Sequence, residues 1–250
     1  MEIIQRSKFK VKAFSYHKKH KSIFKFPLTL LKYLNTIRGL HMEKLISGVT
    51  EFQKNGFTEN KELFETLANG QEPEVLFITC ADSRVDPSLI TQTLPGDLFI
   101  CRNAGNIVPP HSNVTGGMTA SIEFAVAGLG VKHIVVCGHS DCGAMKGALN
   151  PDAVKSLPHV SNWLSHCAAA QAKVKARHKN IDDRHLLEMT EENVLLQLKH
   201  LETHPSVAAK MATGSIELHG WIYDIANGTV NCHDQQQQAF IPIVECYSNN

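Results

Sequence analysis

Two short stretches of this chain hold side chains that could share one metal ion: Cys80-Ala81-Asp82-Ser83-Arg84 and His139-Ser140-Asp141-Cys142-Gly143. Thiolate and imidazole are soft-to-borderline ligands, and two of the first with one of the second favour Zn²⁺. Cys80, His139 and Cys142 make three ligands and leave a fourth tetrahedral position for water, the pattern of a catalytic zinc. A single cysteine at a strand end is more commonly a small buried hydrophobe. It is the pairing of the two clusters, each with polar neighbours a packed core does not need, that points to metal.

Asp82 and Arg84 stand two residues apart in one turn. A charge-assisted hydrogen bond between them would keep the carboxylate ionised and oriented. A carboxylate so close in sequence to a ligand can accept a proton from water at the metal; the plain alternative is a structural salt bridge.

The elements that must carry these clusters are legible as short apolar runs at 75–79, 98–101 and 133–137, each followed by a Gly-rich or polar turn. Such runs read as buried parallel strands, and open α/β sheets place their sites at the carboxyl ends of strands. A helix is expected from Thr115-Gly116-Gly117 through Ile122 and Phe124, stopping at Gly128-Leu129-Gly130. Residues 158–213 read as helices, with Pro205 opening the last, and 216–225 as a final strand at a sheet edge, followed by the turn Ala226-Asn227-Gly228. Strand, helix and strand in alternation imply a parallel sheet with right-handed crossovers. The fold class is therefore α/β: a central, mainly parallel sheet flanked by helices, with an N-terminal helical arm over 42–69. Three segments are expected: a basic, disordered leader at 1–41, one domain at 42–235, and a polar tail at 236–250.

Composition supports this frame. With 43% hydrophobic and 20% charged residues, a chain of 250 residues can bury one sizeable core. No run approaches the roughly 20 apolar residues needed to cross a bilayer, so no transmembrane segment is expected. Residues 1–41 carry ten of the 25 Lys and Arg but only one, Glu2, of the 24 Asp and Glu. The remainder is thus acidic, which argues against a nucleic-acid partner. The leader suits either a targeting segment or an extension upstream of a start at Met42. An odd set of seven cysteines without regular spacing suits a reducing compartment, the cytoplasm, with Cys101, Cys137, Cys167, Cys232 and Cys246 as buried or incidental thiols. Of the 14 histidines, none but His139 is assigned a role.

Together with Arg102-Asn103-Ala104-Gly105-Asn106, Pro95-Gly96-Asp97-Leu98-Phe99 and Leu218-His219-Gly220-Trp221-Ile222-Tyr223-Asp224, the two clusters resemble the signature of the β-class carbonic anhydrases over about residues 43–230. The resemblance implies reversible, zinc-dependent hydration of carbon dioxide to bicarbonate and a proton, with one Zn²⁺ per subunit on Cys80, His139 and Cys142. It implies Asp82 and Arg84 as a catalytic dyad of the plant-like type. It also implies substrate contacts from the Gln71 amide, reaching across a subunit interface, and from the Gly143 backbone N–H. Phe99 would line the apolar pocket or fill the second strand's core. The assembly implied is a homodimer or homotetramer.

Two departures stand out. Arg102 and Tyr223 match two of the three residues of the regulatory bicarbonate pocket that some members carry, but Phe77 stands where those members use Trp, and a phenyl ring has no N–H to donate. Phe124 replaces a Tyr of the plant enzymes. Two other readings stay open: relatives of this fold hydrolyse carbon disulfide or carbonyl sulfide, and a closed structural zinc would take Asp82 as its fourth ligand.

Overall fold

Six strands pair into one sheet in the order β2-β1-β3-β4-β5-β6. They are β1 (Val75–Cys80), β2 (Leu98–Asn103), β3 (His133–His139), β4 (Glu217–Asp224), β5 (Thr229–Asp234) and β6 (Ala239–Pro242). The computed structural model describes residues 42–248; the leader expected at 1–41 lies outside them. β1 to β4 are parallel, and β5 and β6 return antiparallel. The α/β architecture with a mainly parallel sheet is as the sequence implies. One expectation is corrected: β4 is an interior strand, and the edge belongs to β6. The turn after β4 begins a meander instead of ending the sheet, so ordered structure continues into the stretch read as a polar tail.

The period of two along each strand sorts side chains onto two faces. Leu76, Ile78, Ile134, Val136 and Ile222 face one core with Ile122, Val126, Val194 and Leu201 from the helices. Phe77, Val135 and Cys137 face the other side with Trp221 and Tyr223. Each fully buried Leu, Ile or Phe contributes about 1.5–3 kcal/mol relative to exposure, so the strand register is fixed by the face each residue must take.

The helices lie where periodicity and punctuation place them. A short α3 (Pro87–Thr91) follows β1, and α4 (Gly117–Glu123) runs on as a π-helical segment, Phe124–Leu129, ending at Gly130 with φ +74°. Beyond β3 come α5 (Gly143–Leu149), α6 (Pro158–Leu164), α7 (Ala168–Arg177), α8 (Leu186–Glu202) and α9 (Pro205–Ala212). Proline opens α6 and α9 at a position whose N–H has no helical partner. Helix α8 seats directly on β3: a Cβ at Gly138 would lie 2.9 Å from Thr190 Cγ2 and from Val194 Cγ2. Glycine there lets α8 close over the strand one residue before His139.

The chain divides into two units, 1–69 and 70–250. In the first, α1 (Met42–Glu51) and α2 (Lys61–Leu67) are joined by a π-helical turn, Phe52–Gly56, and a short helical turn, Phe57–Glu59. None of these elements buries a residue, although the Phe52, Phe57 and Phe64 rings pack on one another. At the far end, α10 (Ile243–Cys246) returns to β5, where Cys246 and Cys232 form a disulfide with Cα atoms 6.4 Å apart. This corrects the reading of those two as incidental thiols. Cys101, Cys137 and Cys167 are buried and free, as expected. Among the described residues no helix is long and apolar enough to cross a membrane.

Candidate metal centre

The parallel register of β1 and β3 brings their carboxyl ends side by side, and the two sequence clusters leave the sheet there. Cys80 is the last residue of β1 and His139 the last of β3, while Cys142 caps α5. Asp141 takes a left-handed backbone, φ +57°, which Asp tolerates better than most residues. That reversal turns His139 and Cys142 toward one point. One ligand atom from each of Cys80, His139 and Cys142 lies within 4.8 Å of the others, and all three residues are buried.

The chemistry of these atoms fits a thiophilic cation. The His139 ring is fully buried; Nδ1 donates to Ser140 O at 2.8 Å, so in the neutral ring Nε2 is the acceptor. That Nε2 has no hydrogen-bond partner; Asp82 Oδ2 lies 3.9 Å away. A buried, unpartnered ring nitrogen is costly unless something binds it. The two sulfurs lie 4.0 Å apart. The Cys142 thiol, hydrogen-bonding to Cys80, lowers the Cys80 pKa, and the Gly105 N–H, 3.4 Å from Cys80 Sγ, acts in the same direction. The same contact and burial raise Cys142. A divalent ion would satisfy both thiolates and the imidazole together.

Asp82 stands beside this group in the grip of Arg84. Nε donates to Oδ1 at 2.9 Å and Nη2 to Oδ2 at 2.7 Å, a bidentate pair, and the Arg84 backbone N–H adds a third bond at 3.0 Å. These bonds hold the Asp82 carboxyl far below the usual carboxylate range despite partial burial. Arg84 also donates through Nη1 to Asp141 Oδ2 at 2.8 Å, and Asp141 is further paired with Lys146. The two cations lower Asp141 to about 2. Neither Asp141 nor Lys146 is assigned a role from sequence. The signal for Asp141 was its place between two ligands in a turn shared with a basic residue of the other cluster.

Two further layers hold the loops, and sequence reading missed both. Arg102 reaches from β2 to the backbone of the first cluster, Nε to Cys80 O at 3.0 Å and Nη2 to Asp82 O at 2.7 Å. Behind it the loop after β2 is pinned by Asn103, whose side chain exchanges two hydrogen bonds with Ile107, and by Trp163 Nε1 on Ala104 O and Asn193 Nδ2 on Gly105 O. Gln197 donates to Asn193 and accepts from Val108 N. Asn193 and Gln197 are fully buried in α8. Two amides inside an apolar helical stretch were the available sign that something polar lay beneath.

The residues read as substrate contacts are placed differently. Gly143 begins α5 beside Cys142, and a Cβ there would meet nothing within 4 Å. Phe99 packs against the core beneath α4, its ring 6.0 Å from Phe124. Gln71 lies exposed in the coil before β1 with no hydrogen-bond partner among the described residues.

With this geometry in view, the carbonic anhydrase family model matches residues 75–230, more than half of the chain. The chain belongs to the β-class carbonic anhydrases. It is 45% identical to a carbonic anhydrase of Pseudomonas aeruginosa over 204 residues, covering 82% of this chain and 93% of that protein. It is 44% identical to one from Synechocystis sp. over 202 residues, covering 80% and 74%. The solved β-carbonic anhydrase CcaA superposes with a TM-score of 0.78 at 44% identity, over 81% of this chain and 100% of that one. A tetrameric β-carbonic anhydrase of Sordaria macrospora does so with a TM-score of 0.69 at 33% identity, over 76% and 95%. Like these relatives, this β-carbonic anhydrase is an enzyme of carbon dioxide hydration, and its Cys80–His139–Cys142 group lies inside the matched region.

Proposed function

We propose that this β-carbonic anhydrase hydrates carbon dioxide with one Zn²⁺ held by Cys80, His139 and Cys142, and with Asp82 and Arg84 as its catalytic dyad. The observation that carries the proposal is the buried Nε2 of His139, left without a partner beside two sulfurs while Nδ1 is fixed on Ser140 O. When bound, zinc supplies a Lewis acid that lowers the pKa of water from 15.7 toward about 7.

The chain's own residues supply the rest. Asp82, kept ionised by Arg84, is an acceptor for a proton-bearing oxygen near the three ligands and aims that oxygen's lone pair away from itself. Arg84 also draws the carboxylate away from the ligand group, which favours the plant-like open arrangement over closure of Asp82 onto the metal. Arg102 keeps Cys80 and Asp82 in register by holding both carbonyls. Gly143 offers a backbone N–H at the start of α5. Gln71 is assigned to the substrate of a neighbouring subunit, which accords with its exposure and lack of partners here.

The assembly proposed is a homodimer or homotetramer, supported by the tetrameric relative and by the exposed apolar residues Leu45, Ile46, Val49 and Phe52 of the arm. The compartment proposed is the cytoplasm, on the five cysteines that stay free among the described residues, with the Cys232–Cys246 disulfide as the one feature that opposes it.

Zinc analysis with stopped-flow hydration of carbon dioxide, on wild type and Asp82→Asn, tests the proposal. Both should carry zinc at the cysteine group, and the variant should lose about 10²–10⁴ in kcat/KM. A zinc-free active wild type, or an Asp82→Asn enzyme of unchanged rate, contradicts it.

A further inference from the structure

At the other end of the same strands, His133, Glu217 and His219 form a second group of nitrogen and oxygen ligands. His133 and Glu217 open β3 and β4 and are register partners, and His219 follows two residues later on the same face. Six residue steps along β3 lead from His133 to His139, about 20 Å of strand, so the group is remote from the cysteine site. His133 Nδ1 lies 3.2 Å from His219 Nε2 and 3.6 Å from Glu217 Oε2, and His219 Nε2 lies 3.8 Å from the same oxygen. Ligands about 2.0–2.1 Å from a tetrahedral zinc stand roughly 3.3 Å apart. The three edges are thus near the required size with little movement of the exposed Glu217.

The far side of the group is built as metal-binding histidines require. His219 Nδ1 meets Tyr247 Oη at 2.9 Å, and Tyr247 Oη also accepts from Trp221 Nε1 at 3.3 Å. The phenolic oxygen has two lone pairs, so it can accept from both rings. With Nδ1 donating to Tyr247 Oη, His219 Nε2, which lies 3.2 Å from His133 Nδ1, would face the ion, the outer-partner arrangement that fixes tautomer and orientation at metal-bound histidines. The nearby acid Glu74 is engaged by Lys132 and does not compete.

We infer that His133, Glu217 and His219 bind a second divalent transition-metal ion of the zinc type, fastening the starts of β3 and β4 to the segment that carries Tyr247. Two imidazoles and a carboxylate select Zn²⁺ or its neighbours in the series over Mg²⁺ or Ca²⁺.

The test uses full-length, tag-free enzyme with zinc already in the cysteine group, titrated with Co²⁺ by calorimetry and visible absorption. Wild type should take up one equivalent of Co²⁺, showing d–d bands without thiolate-to-cobalt charge transfer, and its melting temperature should rise. His133→Ala and Glu217→Gln should weaken this uptake at least tenfold, and Tyr247→Phe about tenfold. All three should keep their zinc and hydration rate. Glu217 is 69% exposed, so its replacement leaves folding intact should His133→Ala prove unstable. No Co²⁺ uptake, uptake carrying thiolate charge transfer, or equal uptake by folded variants overturns the inference.

Discussion

Arg84 and Asp82 form a three-bond clamp: Nε on Oδ1 at 2.9 Å, Nη2 on Oδ2 at 2.7 Å, and the Arg84 backbone N–H on Oδ1 at 3.0 Å. The other arm of the guanidinium is taken by Asp141 Oδ2 at 2.8 Å. Arg84 therefore cannot turn toward Asp82 alone; its plane is set by carboxylates from both clusters.

Asp141→Asn should release one side of that plane. The expected loss in kcat/KM is about tenfold, the low end for an outer partner of a metal-site residue, with zinc retained. Equal kinetics in wild type and variant would remove Asp141 from the positioning scheme.

Gly105 carries φ +81°, and a Cβ there would lie 2.9 Å from Met145 Cε and 3.0 Å from Ala144 Cβ. Its N–H also reaches Cys80 Sγ. Gly105→Ala should cost about 1–3 kcal/mol through strain and contact with α5 and reduce zinc retention. Gly143→Ala, with open space at its Cβ, should keep wild-type stability. Chemical unfolding of the two variants side by side checks the contrast.

Glu192 is a buried carboxylate held by Lys173 at 2.8 Å and Arg177 at 2.6 Å. Burial pushes its pKa up, but those two cations outweigh burial and leave it below its ordinary 4.5. A depressed folded value means stabilisation that is full above pH 4.5 and fades as pH falls through the folded pKa. Glu192→Gln should cost about 1 kcal/mol at pH 7, modest because both cations are half-exposed. The gap from wild type should close in acid; a gap independent of pH across this range would refute the linkage.

Phe77 packs edge-on against Trp221, ring centroids 5.9 Å apart, and Arg102 is committed to the Cys80 and Asp82 carbonyls. Neither is free to receive an anion. Bicarbonate inhibition of hydration should accordingly be weak and non-cooperative at low pH; strong cooperative inhibition in stopped-flow assays would show that Arg102 leaves its place.

Much of this was legible in the chain because strand ends and ligands share one pattern. The apolar runs before Cys80 and His139 are the strands, and the polar turns after them are the site. The supports were harder to see, since Arg102, Asn193 and Gln197 act across 20 or more residues and their partners are backbone atoms, which sequence does not mark. β5 and β6 were both missed: β5 mixes polar residues into its run, and the four residues of β6 follow a glutamine run. The Cys232–Cys246 disulfide depends on that same antiparallel return, so nothing in the spacing of the cysteines announced it.

The central claim is one ion gripped by two sulfurs and one imidazole. Zinc K-edge absorption on enzyme dialysed free of loosely held metal tests it most directly. The spectrum should fit two Zn–S distances of about 2.3 Å, one Zn–N near 2.0–2.1 Å and one light-atom ligand, and Cys142→Ser should remove one sulfur. A shell of nitrogen and oxygen alone, or of three or more sulfurs, would contradict the account.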